Sequence, residues 1–242
     1  FNMRNCLMCI ATMVAVLFFA GVGQALAVPD YSFEVIAPSG ANPPGPDGFF
    51  GLGATVAQEP VIGVTHLENS MRYTVGVGGF VGARTEIVPP TLNDPPGVKY
   101  VLFDLTLPAA YPDTFANMGV TIFGHDLNAG GGTSFGNQVQ FADELLMAPL
   151  GAGTHLNQRI DLDFSLGPYV PSIGKSFNEI FGTCDDCLSV ASAFQFYINK
   201  NVLTPIEVYI DNVRFVIPEP TTFGIMGMGA VVIGALRRRR SY

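Results

Sequence analysis

Short runs of alternating apolar and polar residues recur along the chain, whereas apolar residues at helical spacing are rare. A period of two is typical of half-buried β-strands. Residues 38–53 hold four prolines and five glycines and are predicted to form a loop. Residues 137–147 are ambiguous between strand and helix, and residues 175–181 suit one or two helical turns. The predicted strands cover residues 31–36, 71–77, 80–88, 100–107, 119–123, 159–166, 194–199 and 206–216, with Gly78 and Gly79 between the second and third.

About eight to ten strands separated by turns predict an all-β domain, an antiparallel β-sandwich or jelly roll. The last predicted strand adds a detail. Its apolar residues occupy one parity as far as Ile210 and the other parity from Val213 onward. Such a switch requires an extra residue, so we predict a β-bulge at Asp211-Asn212.

The two ends of the chain differ from the body between them. Residues 7–19 are apolar and lead to the small-x-small site Ala25-Leu26-Ala27, which predicts a helical signal peptide over residues 1–27. At the other end, uncharged residues 221–236 would form a helix of roughly 24 Å, short for a hydrocarbon core of about 30 Å. We predict a short transmembrane helix there. The domain boundaries are therefore 1–27 (signal), 28–217 (β-sandwich) and 218–242 (sorting and anchor segment).

The C-terminal segment resembles the PEP-CTERM sorting tail of exported bacterial proteins. The resemblance is carried by Pro218, Glu219 and Pro220, then the apolar run, then Arg237, Arg238, Arg239 and Arg240. In that family an exosortase, a membrane cysteine protease, cuts near the Pro-Glu-Pro, and the proteins are associated with exopolysaccharide and biofilm. The resemblance implies a processing protease as a partner. A plain tail anchor is the alternative, although it needs no Pro-Glu-Pro.

The predicted body, residues 28–217, is strongly acidic. It contains seven of the twelve Lys and Arg residues and nineteen of the twenty Asp and Glu residues, so its net charge is near −12. Such a charge argues against binding to nucleic acid and to anionic lipid surfaces. It suits a soluble exported protein, or one that binds cations.

Segments near both ends of the body look like those of jelly-roll carbohydrate-binding modules with a galactose-binding-like fold. The matching segments are Tyr31-Ser32-Phe33-Glu34, Gly63-Val64-Thr65 with Ser70, and Val208-Tyr209-Ile210-Asp211-Asn212-Val213. In those modules a structural calcium often lies between the first and last strands, so the resemblance implies Glu34 and Asp211 as calcium ligands. The alternative is a solvent-facing Glu34 and an Asp211 that caps the bulge. Such modules commonly stack sugars on Trp, and this chain has none, so no sugar-binding residue is assigned.

The cysteines and histidines of the body offer little metal chemistry. Cys184 and Cys187 enclose two aspartates, and in an exported protein such a pair predicts a local disulfide. The aspartates would disfavour the thiolate of a redox pair, and a zinc site would need two further ligands. His66, His125 and His155 are far apart in sequence, and their spacing does not indicate a shared metal.

Two further patterns were weighed as catalytic. Residues 132–136 match G-x-S-x-G around Ser134, with Asp143 and His155 following in the order of a hydrolase triad. A nucleophile elbow lies between a strand and a helix of a parallel sheet, which this chain does not predict. Asp161 and Asp163 would share one strand face, where two solvated carboxylates are the simpler interpretation.

The sequence therefore predicts a non-catalytic, exported β-sandwich protein of the cell envelope or cell surface. Its C-terminal helix would anchor it in the membrane before processing. Its expected role is structural or adhesive within the surface or exopolysaccharide layer, with polysaccharide as the expected ligand. The alternative is an extracellular hydrolase acting on matrix polysaccharide. Whether Ser134 and His155 converge in one cleft would discriminate the two.

Overall fold

The computed structural model describes residues 29–40, 42–76, 79–92, 97–111, 115–126, 137–182, 185–200 and 205–217. The described strands are β1 (Ile36–Ser39), β2 (Asn42–Pro46), β3 (Phe50–Leu52), β4 (Ala54–Glu59), β5 (Ser70–Val75), β6 (Phe80–Thr85), β7 (Tyr100–Leu107), β8 (Ala116–Asp126), β9 (Asn137–Phe141), β10 (Leu145–Leu146), β11 (Gly153–Asp161), β12 (Ser165–Pro168), β13 (Ser189–Lys200) and β14 (Ile206–Val216). The described helical segments are α1 (Phe177–Ile180) and three 3₁₀ turns, Pro90–Leu92, Ala148–Leu150 and Val170–Ser172.

Two antiparallel sheets form a β-sandwich, which confirms the predicted fold class. The larger sheet has seven strands in the order β12-β9-β8-β13-β6-β3, with β10 also paired to β8. The smaller sheet has five strands in the order β11-β7-β14-β5-β4, and β1 and β2 pair only with each other. β5 and β6 flank the predicted Gly78-Gly79 turn but belong to different sheets, so the chain crosses the sandwich there.

The core lies between the two sheets and is rich in aromatic residues. Phe103 of the five-stranded sheet meets Phe196 of the seven-stranded sheet with ring centroids 5.2 Å apart, and both side chains are fully buried. The Tyr73 hydroxyl donates a hydrogen bond of 2.7 Å to the Val81 carbonyl and ties the sheets together. Full burial of one such side chain stabilises the fold by about 1.5–3 kcal/mol. This packing fixes which residues of each strand face outward.

The predicted bulge in the last strand is present. Asp211 lies opposite Asp104 of β7, while Arg214 lies opposite Leu102, so β14 has one extra residue at this point. Asn212 takes the left-handed conformation, with φ of 52°, which asparagine tolerates better than most residues. The switch of parity in the sequence therefore predicted the β-bulge correctly.

The predicted first strand is wrong over most of residues 31–36. Tyr31 makes an isolated bridge with Val213, and Phe33 has a φ of 61°, which no strand allows. The Asp47 carboxylate accepts the N–H groups of Ser32 (2.9 Å) and Phe33 (2.6 Å) in place of a sheet partner. The Asp47 side chain, distant in sequence, therefore accepts the hydrogen bonds that a neighbouring strand would accept in a sheet.

The other segment boundaries were predicted with mixed success. The proline-rich loop of residues 38–53 contains β2 and β3 and the end of β1, and β4 was not predicted. The ambiguous residues 137–147 form β9 and β10, and the predicted strand 159–166 divides between β11 and β12. The helical turn within residues 175–181 is α1.

The predicted signal helix and C-terminal helix lie outside the described residues. Within the described ranges, no helix has the length and apolar character needed to cross a membrane.

Candidate functional site

The outer face of the seven-stranded sheet carries mostly neutral polar groups. In β13, Phe194, Phe196 and Ile198 are buried in the core, so the alternate residues of this strand point outward. Gln195 lies opposite Thr121 of β8 and Arg84 of β6, and cross-strand partners share a face. We call this surface the amide face; its members are Arg84, Asn117, Thr121, Gln138, Gln140, Gln195, Tyr197 and Asn199.

An aromatic pair lies at one side of the amide face. Phe80 stacks on Tyr197 with ring centroids 4.8 Å apart and an angle of 27° between the rings. The Tyr197 hydroxyl donates to Glu144 (2.6 Å) and accepts from the Gln140 amide (2.9 Å). Burial, together with the Glu144 carboxylate, raises the pKa of Tyr197 well above its ordinary value, so the hydroxyl remains a donor. Phe80 is 49 % exposed, whereas Tyr197 is fully buried, so Phe80 is the member of the pair that presents an apolar surface to solvent.

Glycine makes room for this arrangement. The Tyr197 ring lies flat across the sheet, and a Cβ atom on Gly119 would approach its Cζ atom to 2.3 Å. The Gln195 amide lies in the same way over Gly82, where an added Cβ would meet its carbon at 2.7 Å. The side chains of the amide face therefore form a flat layer along the strands.

Three polar atoms of the amide face lack a hydrogen bond within the part of the chain that the structure describes. They are Asn117 Oδ1, Thr121 Oγ1 and Gln195 Oε1, and all three are buried. Native proteins leave few such atoms, because an unsatisfied buried polar group costs about 1–3 kcal/mol. Each of the three can accept a hydrogen bond from a hydroxyl group. All three atoms lie below the accessible surface, so a donor from a ligand or water reaches them only when neighbouring side chains move.

A cation lies against an aromatic ring on the same face. The Arg84 guanidinium carbon is 4.0 Å from the centroid of the Phe123 ring, and an Arg84 nitrogen is 3.8 Å from the Glu86 carboxylate. Stacking of this kind holds the guanidinium flat against the sheet. Arg84 thus contributes to the layer without projecting from it.

On the five-stranded sheet, carboxylates hold down the loop of residues 60–69, which we call the strap. Asp211 is fully buried, and its Oδ2 atom accepts the N–H groups of Thr65 (2.6 Å) and His66 (2.7 Å). Burial raises the pKa of Asp211, while these hydrogen bonds lower it. The Thr65 hydroxyl lies 2.6 Å from Asp104 Oδ2 and 3.1 Å from Asp211 Oδ2. The strap is therefore fixed to the two central strands.

Asp104 also holds a second bulge. β11 contains an extra residue opposite β7, at Asn157, which has a φ of 51°. Asp104 accepts the Asn157 N–H (2.7 Å) on one oxygen and the Asn212 side-chain amide (3.0 Å) on the other. The two neighbours of β7, β11 and β14, thus each have a bulge beside Asp104, and the Asp104 carboxylate caps both bulges.

Glu34 holds the other end of the strap. Its Oε1 atom accepts the N–H groups of Glu68 (2.9 Å) and Asn69 (2.8 Å), and its Oε2 atom accepts the Asn69 side-chain amide (2.6 Å). Asp211 Oδ1 accepts the Asn212 N–H at 2.6 Å. All four carboxylate oxygens of Glu34 and Asp211 therefore face N–H donors, which stabilise the anions without a cation.

Calcium at Glu34 and Asp211 stays a prediction. Donor-lined oxygens do not by themselves supply the cage of six to eight oxygens that calcium needs. In the described ranges, no three or more His, Cys, Asp or Glu side chains are grouped so as to hold a metal. Melting the protein with and without a chelator, followed by calcium addition, tests the prediction.

The residues weighed as catalytic do not come together. Ser134 lies outside the described residues. His155 Nε2 contacts the Gly151 carbonyl at 3.2 Å, whereas Asp143 accepts the N–H of Asp161 at 2.7 Å. Asp161 lies six residues from His155 on β11, which is about 20 Å along an extended strand. Asp143 and His155 therefore lie near opposite ends of β11.

The predicted pair Asp161 and Asp163 does not share a strand face. β11 ends at Asp161, whose carboxylate pairs with Arg159 at 2.5 Å, and Asp163 lies beyond the strand and is exposed. The three histidines are likewise separate, with His66 in the strap, His125 in β8 and His155 in β11.

The cysteine and sorting residues are only partly described. Cys187 is buried and in the disulfide form, and its sulfur lies 3.1 Å from the Phe181 carbonyl. Cys184 lies outside the described residues, so its pairing with Cys187 stays a prediction. The Pro-Glu-Pro and the four arginines also lie outside them.

The fold is an antiparallel β-sandwich whose larger sheet carries a polar outer face. Residues 216–240 match the PEP-CTERM protein-sorting motif, as the sequence predicted. This motif marks the protein as exported and associated with the cell envelope. No curated protein matches the chain.

Several solved structures are similar in fold. One is the family 11 carbohydrate-binding module of the cellulase Lic26A-Cel5E of Clostridium thermocellum, with 14 % identity, a TM-score of 0.44, and coverage of 76 % of this chain and 89 % of that one. Another is the CBM22-1 xylan-binding domain of Paenibacillus barcinonensis Xyn10C, with 13 % identity, a TM-score of 0.41, and coverage of 77 % and 92 %. An exo-β-agarase matches with 13 % identity and a TM-score of 0.45, over 78 % of this chain and 25 % of that one.

Sequence reasoning did not single out the amide face. Its signal is present in β13, where Gln195, Tyr197 and Asn199 alternate with apolar residues and carry no charge. Gln138 and Gln140 repeat the pattern in β9. Most solvent-facing strand positions of a soluble protein carry mixed polar and charged residues, so a strand with neutral amides on its outer side is a usable sign of a binding face.

Proposed function

We propose that this exported protein binds a polysaccharide on the amide face and acts as a structural or adhesive component of the cell-surface or exopolysaccharide layer. The observation that carries the proposal is the half-exposed Phe80 ring, which stacks on the buried Tyr197 ring and is bordered by amide side chains. The apolar face of a sugar ring stacks on an aromatic ring, while its hydroxyls need donors and acceptors at the sides. The pair takes the place of the Trp that this chain lacks.

The unpaired acceptors support the same proposal. Asn117 Oδ1, Thr121 Oγ1 and Gln195 Oε1 have no donor among the described residues, and sugar hydroxyls could supply donors if the side chains that cover these atoms move on binding. Because removing such a group from water without a partner is costly, a ligand that supplies the hydrogen bonds gains affinity from them. An amide layer therefore suits a hydroxyl-rich ligand better than an apolar one.

The charge of the body favours a neutral glycan. The predicted body has a net charge near −12, and a polymer of uronic or sulfated sugars would be repelled by it. Amides pair with hydroxyls without requiring charge on either side. We therefore propose a neutral polysaccharide as the ligand.

Catalysis is not part of the proposal. The hydrolase alternative required Ser134, Asp143 and His155 to converge, and the described members of that set are separated along β11. A general acid and base must reach the same bond, within hydrogen-bonding distance of it. Hydrolysis of a matrix polysaccharide by the purified protein would revive the alternative.

Substitution of Phe80 tests the proposal. A glycan array probed with the purified protein first identifies a ligand, and Phe80→Ala is then expected to weaken binding about 2- to 10-fold, because stacking on an aromatic ring is worth about 0.5–1.5 kcal/mol. Phe164→Ala is the matched control: Phe164 is 51 % exposed and precedes β12, four strands away from β6. At a spacing of about 4.8 Å per strand, it lies roughly 19 Å from the strand of Phe80 and roughly 14 Å from that of Tyr197.

The control should bind like the wild type. Equal weakening by the two substitutions would locate binding elsewhere or make it non-specific. Binding only to anionic glycans would contradict the charge argument, and no binding on a broad array of neutral glycans would contradict the proposal as a whole. Neither result would affect the sorting motif.

A further inference from the structure

The sorting motif begins inside the folded domain. The match starts at residue 216, and Val216 is the last residue of β14. β14 pairs with β5 from Ile206 to Ile210 and with β7 as far as Val216, so its last residues are held on the β7 side. The head of the motif is therefore not a free linker.

Three contacts fasten this end of β14. The Lys99 N–H donates to the Val216 carbonyl at 3.0 Å. The Phe215 N–H donates to the Asp30 carboxylate at 2.6 Å. Ile217 packs against Gly97, where an added Cβ would come within 2.4 Å of the Ile217 Cγ2 atom. We call Gly97, Lys99 and Ile217 the latch.

The sequence stops the sheet immediately after the latch. Pro218 has no N–H to donate, so the ladder between β14 and the chain before β7 cannot continue through it. Only three residues, 218–220, separate Ile217 from the uncharged segment that begins at Thr221. Fully extended, three residues span about 11 Å. A protease that works at the membrane surface would therefore meet this end of the sandwich directly.

We infer that the latch sets the first bond that a processing protease can reach, so that cleavage falls after Ile217 and the mature domain keeps β14 whole. A protease binds its substrate as an extended chain with free backbone groups, and those of β14 are engaged in the sheet. Cleavage before Ile217 would require part of a central strand to leave the core. This inference rests on proteolytic processing of the sorting tail, which its PEP-CTERM motif implies.

Limited proteolysis of the full chain in detergent micelles tests the latch without the cellular protease. With proteinase K and intact-mass analysis, the protected fragment of the wild type should end at or after Ile217. In Gly97→Ala the three atoms nearest the added Cβ all belong to Ile217. The substitution should therefore push Ile217 away, so that the fragment ends before it and the Lys99 amide exchanges at least about 10-fold faster.

Gly76→Ala is the matched control, because an added Cβ there meets nothing within 4 Å. It should behave like the wild type in both measurements. Trimming of the wild type into β14 while the body survives would overturn the inference. So would a Gly97→Ala fragment and a Lys99 exchange rate unchanged from the wild type.

Intact mass of the protein recovered from a host that processes such tails separates the two claims. A mature C-terminus at or after Ile217, and before the uncharged segment, is the expected result. A C-terminus within β14 would overturn the latch. A C-terminus still at Tyr242 would instead overturn processing itself, whatever the micelle experiment shows.

Discussion

The outer faces of the two sheets are both polar, but they use their polar groups differently. On the five-stranded sheet the buried carboxylates of Asp104 and Asp211 are surrounded by donors from the strap and the bulges. On the amide face, Thr121 and Gln195 are equally buried, yet each has an oxygen without a partner among the described residues. The two buried carboxylates are therefore satisfied within the fold, whereas the oxygens of Thr121 and Gln195 are not.

This difference distinguishes groups that stabilise the fold from groups that are candidates for binding a ligand. A satisfied buried network fixes the fold, and losing one member leaves the others unpaired. An unsatisfied group stabilises nothing by itself and becomes favourable only when a ligand or water arrives. The charge of the carboxylates makes them conspicuous in the sequence as candidate ligands, whereas the neutral amides are the better candidates for binding. Substitutions on the two faces should therefore have opposite consequences for stability and for affinity.

The largest effect is expected at Asp211. Asp211→Ala removes the acceptor of the Thr65 and His66 N–H groups at a fully buried position. We expect a loss of about 2–4 kcal/mol in the free energy of unfolding, measured by urea denaturation, because several buried donors lose their partner. Glycan affinity of the remaining folded protein should stay unchanged.

Asp161→Ala is the control for Asp211. Its side chain is 36 % exposed, and its carboxylate pairs with Arg159 at the surface. Surface ion pairs contribute about 0–1 kcal/mol, so the loss should be small. An equal loss for the two substitutions would show that the strap contacts do not stabilise the fold.

The next largest effect is expected at Gly119 on the amide face. A Cβ added there would approach the Tyr197 ring to 2.3 Å, and the ring cannot tilt away without losing Glu144 and Gln140. Gly119→Ala should cost about 1–3 kcal/mol of stability through overpacking. Unlike Asp211→Ala, it should also weaken glycan binding, because Phe80 loses its stacking partner. Gly76→Ala is again the control, and normal affinity of Gly119→Ala would contradict the proposed role of the aromatic pair.

Prediction from the sequence was most accurate for the strands whose inner side is buried in the core. β7 and β14 were predicted with their observed bounds, and the bulge was predicted from a switch of parity alone. These strands are central, so the alternation of their inner residues follows the core without interruption. Hydrophobic periodicity therefore predicted both the strand and its bulge.

Long-range contacts explain what the sequence could not show. Residues 31–36 alternate like a strand, but the Asp47 side chain takes their N–H groups. β2 contains three prolines yet pairs with β1 at the surface, where prolines can face away from the ladder. The amide face depends on which strands become neighbours, and that order is set by the whole fold. No local pattern could have placed Phe80 on Tyr197.

The smallest effect concerns the two carboxylates that hold the strap, which should respond to pH in opposite directions. Burial is the largest single influence on the pKa of Glu34 and raises it, but the hydrogen bonds from Asn69 and Glu68 together outweigh burial and leave the pKa below the ordinary value of 4.5. Glu34 therefore stabilises the fold above pH 4.5, and this contribution is lost as the pH falls through the lowered pKa. Burial raises the pKa of Asp211, so its contribution grows as the pH falls. Glu34→Gln keeps an acceptor oxygen but removes the charge. The gap in urea midpoint between the wild type and Glu34→Gln should therefore close between pH 6 and pH 3, and a gap that stays constant would show that the Glu34 charge does not hold the strap.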